Sequence, residues 1–226
     1  ESTYAILDAN ALLPLRLSDV LFALRRLSFH RWPVDIEKEF LRNWAQVVKK
    51  LKGAELGAYR AASPRPDDER KAENRLNAYR NAVGDEYRLV GYNAPHIAQQ
   101  VPSAVNKGDI HVAQAAILMR HILVSEGLAS DKVFLVSSNV KHLAVGDMAR
   151  LGIEVIRPGA FVDLLLQAAP ARLAEALDKT ISDLAKPPYT KSDLLGALSL
   201  HGAKSTVTHF RKEWNVQLPF SKDRQL

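Results

Sequence analysis

Four acidic or amide side chains in this sequence sit where an oxygen-rich catalytic site would need them. Asp8 follows the apolar run "YAIL", with Asn10 two residues on. Glu39 lies near the edge of the apolar stripe in "VDIEKEFLRNWAQVV". Asp109 opens the apolar segment "IHVAQAAILM", and Ser137 and Asn139 follow the run "KVFLV". In an open parallel sheet, ligands bind outside the carboxyl ends of the strands at the point where the strand order reverses. Three carboxylates and an asparagine converging there would suit a hard divalent ion such as Mg²⁺ or Mn²⁺. Such an ion polarises a phosphodiester and activates water. Each residue also has a plainer use: Asp8, Asp109 and Asn139 are favoured helix caps, and most Glu residues lie on solvated helix faces. Convergence is what separates the two readings.

The elements around these residues predict an α/β fold. "TYAIL", "YRLVG" (87–91), "KVFLVSS" and "IEVIRP" read as short strands, apolar on both faces as parallel strands are. Helices read between them: Leu17, Val20, Leu21, Leu24 and Leu27 recur at helical spacing, with Ser18 as the expected N-cap. In the next helix, entered at Pro33, an apolar face is predicted from Ile36, Phe40, Leu41, Trp44, Val47, Val48 and Leu51. Residues 53–83 read as a charged helical insertion broken at Ser63–Pro66. "NAPHIAQQV" reads as a short helix; longer ones are expected from Asp109 to about Ser125, over "VKHLAVGDMARLG" and over "GAFVDLLLQA". Alternation of strand and helix implies parallel crossovers. From residue 168 onward three helices follow with no strand between them, and Pro187–Pro188 marks a break.

Composition narrows the function classes. The chain has 226 residues and no cysteine, which excludes disulfides, thiolate metal sites and cysteine nucleophiles. No apolar stretch approaches a membrane span and no secretory pattern is visible, so a cytoplasmic protein with no membrane partner is expected. The net charge of +6 is unevenly placed. Residues 42–80 hold ten Lys or Arg, including Arg42, Lys49, Lys50 and Lys52, against five acids. Such a segment can hold a phosphate backbone, or can be a solvated helix face.

Taken in order, "ILDANALLP", "RWPVDIEKEFLRN", "GDIHVAQAAI", "FLVSSNVKHL" and "LGIEVIRPGAFVDLL" resemble the successive motifs of the PIN-domain superfamily, the VapC-like toxin ribonucleases. The resemblance covers residues 4–167 and implies a PIN-like three-layer fold with a central parallel sheet; residues 168–226 fall outside it as a helical C-terminal extension. It implies Mg²⁺- or Mn²⁺-dependent hydrolysis of RNA, with Asp8, Glu39 and Asp109 binding metal. Asn139 takes the fourth polar position, and Asn10 and Ser137 support. Asp35 and Glu37 match the family's helix Glu less well than Glu39. This sequence departs from the pattern in having Ser137 where Thr is usual and His142 where an acid often stands. His111 lies two residues after Asp109, so it points away from that side chain on a helix and reads as structural. The resemblance further implies a cognate antitoxin and a possible homodimer, with Arg42, Lys49, Lys50 and Lys52 on the RNA backbone.

Two other readings stand beside this one. A catalytically weak PIN-like RNA-binding or scaffold module follows if Asn139 and His142 have replaced needed ligands. An acid-cluster phosphatase is disfavoured, since the first strand ends in "DAN" and not "D-x-D". In the extension, "SDLLGALSLHGAKSTVTHF" admits a helix-turn-helix with Gly202 at the turn, although packing on the domain is the expected role of these helices.

Overall fold

A computed structural model describes residues 1–62, 66–183 and 189–218. In chain order the elements are β1 (Thr3–Leu7), α1 (Ala9–Leu12), α2 (Leu15–Ala23), β2 (Phe29–Pro33), α3 (Val34–Val48), α4 (Gly53–Ala61) and α5 (Pro66–Val83). There follow β3 (Arg88–Leu89), α6 (Pro95–Ala98), α7 (Ile110–Ser125), β4 (Lys132–Val136), α8 (Val145–Arg150) and β5 (Ile153–Ile156). Four helices complete the chain: α9 (Pro158–Ala168), α10 (Pro170–Asp183), α11 (Lys191–Leu200) and α12 (Lys204–Glu213). The expected breaks at Ser63–Pro66 and Pro187–Pro188 fall, apart from Pro66 at the start of α5, outside the described residues.

The five strands form one sheet in the order β3-β2-β1-β4-β5, and every pairing is parallel. β1 lies in the middle, and Ala5, Ile6 and Leu7 are fully buried there. Helix α7 lies across the sheet and touches all five strands. Its run of Ala113, Ala115 and Ala116, all fully buried, lets its backbone approach closely. The α/β class expected from strand–helix alternation is what the chain adopts.

Three local expectations fail for identifiable reasons. A strand at Phe29–Pro33 escapes sequence reading because "FHRWP" carries His, Arg and Pro. Those residues are nonetheless buried: the His30 Nε2 pairs with the Ser28 hydroxyl at 2.9 Å, and Arg31 reaches Glu86 at 3.0 Å. Ser18 does not cap α2, whose N-cap is Pro14. It lies inside the helix, fully buried, with its hydroxyl 2.5 Å from that of Tyr79. On α3, Ile36, Phe40 and Trp44 are buried as expected, but Leu41, Val47 and Val48 remain 38–39% exposed.

The charged insertion divides in two. Helix α4 buries no residue, whereas α5 sends Ala72, Leu76 and Tyr79 into the core. Two of its arginines point inward as well: Arg75 pairs with Asp19 and donates to Tyr79, and Arg80 clamps Glu37 through two bonds of 3.0 and 2.8 Å. Part of the positive charge counted in residues 42–80 is thus spent on internal ion pairs.

The C-terminal helices pack back on the helices that flank the sheet. Helix α10 lies against α2 and α9, α11 against α2 and α12, and α12 against α9. Gly159, in the first turn of α9, meets the turn between α11 and α12 so closely that a Cβ would fall 2.2 Å from the His201 carbonyl oxygen and 2.4 Å from the Ala203 nitrogen. Backbone atoms cannot step aside as a flexible side chain can. Gly159→Ala therefore displaces this junction and lowers stability by about 2 kcal/mol or more. A urea-denaturation midpoint equal to that of the wild type would contradict this reading of the contact.

Candidate active site

The strand order reverses between β1 and β4, so a ligand crevice is expected at their carboxyl ends. Register then fixes which residues arrive there. Leu7 pairs with Val136, so the next residues, Asp8 and Ser137, leave the sheet side by side. The Asp8 amide donates to the Val136 carbonyl at 3.1 Å and closes the junction.

Asp8 is only 2% exposed and is held on one oxygen. Its Oδ2 accepts from the Ser137 hydroxyl at 2.6 Å and from Asn10 Nδ2 at 2.5 Å. Asn10 Oδ1 in turn accepts the Ser138 amide at 2.7 Å, and the Ser137 hydroxyl accepts the Asn139 amide at 2.9 Å. The two loops are thereby cross-linked through the side chains of Asn10 and Ser137, both expected here as supporting residues.

Asp109 reaches the same edge by a different device. It ends a single 3₁₀ turn, Lys107–Asp109, whose first amides are organised by Asn106: the Asn106 side chain accepts from Gly108 at 3.1 Å, and its carbonyl accepts from Asp109 at 2.8 Å. The Asn106 amide donates to the His142 carbonyl at 2.9 Å, tying this turn to the segment that follows β4. Both Asp8 and Asp109 occupy N-cap positions, before α1 and α7, yet neither makes a side-chain capping hydrogen bond. The plain capping role does not account for them.

Glu39 projects from α3, half-buried, and its Oε2 stands 3.5 Å from His111 Nε2. Asp109 Oδ2 stands 3.5 Å from His142 Nδ1. His111 thus does face away from Asp109, but it faces Glu39 on another helix, a pairing that spacing along one helix could not reveal. Asp35 and Glu37 are engaged elsewhere: Asp35 pairs with Lys38 and Tyr92, and Glu37 with Arg80 and the Trp32 indole. Asn139 is exposed, and it joins the network through its backbone amide.

Electrostatics link the three acids. Burial pushes the Asp8 carboxyl up to about 6; the Ser137 hydrogen bond opposes this, and the charges of Glu39 and Asp109 add to it. Burial pushes the His111 imidazole down, but Glu39, with Asp8 and Asp35 behind it, more than offsets this and leaves it raised. The donors offered at this edge are oxygens, which suit Mg²⁺ or Mn²⁺. Among the described residues, however, no group of three or more His, Cys, Asp or Glu side chains could hold a metal ion as they stand. Glu39 and Asp109 turn to their histidines.

Of the cations expected on RNA, Arg42, Lys50 and Lys52 are exposed, and no ion pair holds them among the described residues. Lys49 is instead bound to Asp68 at 2.6 Å. Arg42 lies one helical turn beyond Glu39 and borders a groove of about 690 Å³ between α3, α4 and α5, lined also by Leu41, Trp44, Tyr59 and Arg60. No helix among the described residues is long and apolar enough to cross a membrane. No family model, curated protein or solved structure matches the chain.

The Asp8 environment yields a stability prediction with a definite sign. Between about pH 4 and pH 6 the folded carboxyl retains a proton that the unfolded chain has released. Folding stability therefore falls as pH rises through that window, and the deficit is complete above it, at most about 3 kcal/mol. Asp8→Asn removes the titration while keeping a carbonyl to accept from Ser137. In metal-free buffer this variant should be more stable than the wild type by about 1–3 kcal/mol above pH 6, with the gain vanishing near pH 4. Parallel urea midpoints across that range would contradict the assignment.

Proposed function

We propose that this protein is a PIN-like, divalent-metal-dependent endoribonuclease that hydrolyses RNA phosphodiester bonds, the toxin of a toxin–antitoxin pair. The observation that carries this reading is the Asp8 carboxyl at the switch point, raised first by its burial and further by the neighbouring charges of Glu39 and Asp109. Acids gathered against their own repulsion favour the binding of a cation. The five motifs in register over residues 4–167 supply the choice of RNA as substrate.

Asp8, Glu39 and Asp109 would hold Mg²⁺ or Mn²⁺, with Glu39 and Asp109 turning from His111 and His142 to do so. When bound, the ion supplies Lewis acidity at the phosphate and lowers the pKa of water. The chain's own residues do the rest. Asn10 and Ser137 fix the Asp8 carboxylate in one orientation. His111 and His142, freed from their acids, stand beside the edge as proton carriers. Arg42, Lys50 and Lys52 offset the repulsion between an acidic site and a phosphate backbone, giving affinity without sequence choice.

A second reading has one specific observation in its favour. His142 stands beside Asp109, and no three-ligand group is formed among the described residues, as a catalytically weak RNA-binding module would have it.

Cleavage of a mixed RNA with Mg²⁺ or Mn²⁺ separates the two. The wild type should cut, and Asp8→Asn and Asp109→Asn should each lower the rate by more than about a hundredfold. Undiminished cleavage in both variants would refute the site. RNA binding with no cleavage by the wild type would establish the second reading.

A further inference from the structure

The C-terminal helix pair lies outside the nuclease reading, and its geometry is specific. Helices α11 and α12 are joined by only His201, Gly202 and Ala203, and Gly202 takes the left-handed conformation at φ +86° that this tight turn requires. The pair is held rigidly. A full capping box between Thr190 and Asp193 starts α11. Asp163 of α9 accepts the amides of Ser205 and Thr206 at 3.0 and 2.7 Å, which secures the first turn of α12. Thr206, Val207 and Phe210 are buried against the domain together with Leu194, Leu195 and Leu198 of α11.

The opposite face of α12 is free along its whole length. Lys204, Ser205, Thr208, Arg211 and Lys212 are exposed, and at spacings of three and four they form one stripe. Among the described residues no ion pair holds Lys204, Arg211 or Lys212, while the one acid of the helix, Glu213, is bound to His209 at 3.1 Å. A surface trough of about 730 Å³ runs beside this stripe, with Leu166 of α9 on its wall. The net charge of residues 168–226 is only +3, but on this helix the unpaired charge is all of one sign.

We propose that α11 and α12 form a helix-turn-helix that binds duplex DNA, with α12 in the major groove. Lys204, Ser205 and Thr208, near the helix start, face base edges, and Arg211 and Lys212 face phosphates. The form of the nucleic acid follows from the face itself. Phe210 is buried and the Trp214 ring packs on Phe210 and beneath Lys191, so the stripe offers no aromatic platform for single-stranded bases. The major groove of duplex RNA is too deep and narrow to admit a helix, whereas that of B-form DNA accepts one.

The test uses the full chain in EDTA, which separates binding from any metal-dependent cleavage. Fluorescence anisotropy is measured on mixed-sequence duplex DNA, on one of its strands and on duplex RNA of the same sequence, over a salt series. The wild type should bind duplex DNA at least about tenfold more tightly than the other two. The triple variant Lys204→Ala/Arg211→Ala/Lys212→Ala should weaken duplex binding by more than about tenfold and flatten the logarithmic salt slope by about two to three. Its urea midpoint should match the wild type, because all three side chains are exposed; Lys212→Glu alone gives a second reading of the same face. Asp8→Asn should leave duplex binding unchanged, and the triple variant Arg42→Ala/Lys50→Ala/Lys52→Ala should weaken it far less than the α12 triple variant does, so failure of the nuclease reading does not touch this one. Equal binding by the α12 variants, loss of binding in the Arg42 set instead, preference for either RNA duplex or single strand, or no duplex binding at low salt would each overturn the proposal.

Discussion

The fold holds the Asp8 carboxyl almost out of water at the switch point of this sheet, with the charges of Glu39 and Asp109 set against its ionisation. Burying a charge is costly, and the ordinary escape is protonation or a partner of opposite sign. Among the described residues, no lysine or arginine forms an ion pair with Asp8. It receives two hydrogen bonds, from Asn10 and Ser137, which orient the group without neutralising it. The other two acids each stand within 3.5 Å of a histidine. The charged form of Asp8 is therefore disfavoured by burial and by its acidic neighbours, while its hydrogen bonds hold it in one orientation. That combination is characteristic of functional sites, where groups are arranged against their separate preferences.

The rest of the fold serves to hold that edge. Parallel pairing of β1 with β4 brings Asp8 beside Ser137, and a single backbone bond from Asn106 to His142 brings the Asp109 turn to the same place. Glu39 arrives on α3, which Glu37, two residues earlier and opposite in role, ties to Arg80 of α5. One acid of this helix is bound internally so that another is left to face the site. Arg75 gives the same support between α5 and α2 through Asp19, Ser18 and Tyr79.

Much of this was legible in the sequence. β1, β4 and β5 are short runs dominated by apolar residues, and the ends of β1 and β4 locate Asp8 and Ser137 directly. Periodicity also gives α7 and α9, each of which turns a buried face to the core. What it could not give were elements whose polar residues are buried through specific side-chain partners. β2 is a strand because its His, Arg and Trp find Ser28, Glu86 and Glu37, and no alternation announces it. The basic excess of residues 42–80 reads as a solvated or nucleic-acid-facing surface, yet Arg75 and Arg80 of α5 turn inward to acids on α2 and α3. Spacing along one helix could not pair His111 with Glu39, since the two lie on different helices. Leu41, Val47 and Val48 kept the helical period of a core face, but α4, beyond them, buries nothing against which they could pack.

The central claim is that Asp8, Glu39 and Asp109 together await a divalent cation. Calorimetric titration of the intact protein with Mn²⁺ near neutral pH tests it without reference to any substrate. The account predicts saturable binding by the wild type, lost in Asp8→Asn and in Asp109→Asn, with both variants folded. Binding that persists undiminished in both variants, or a wild type that binds no Mn²⁺, would contradict it.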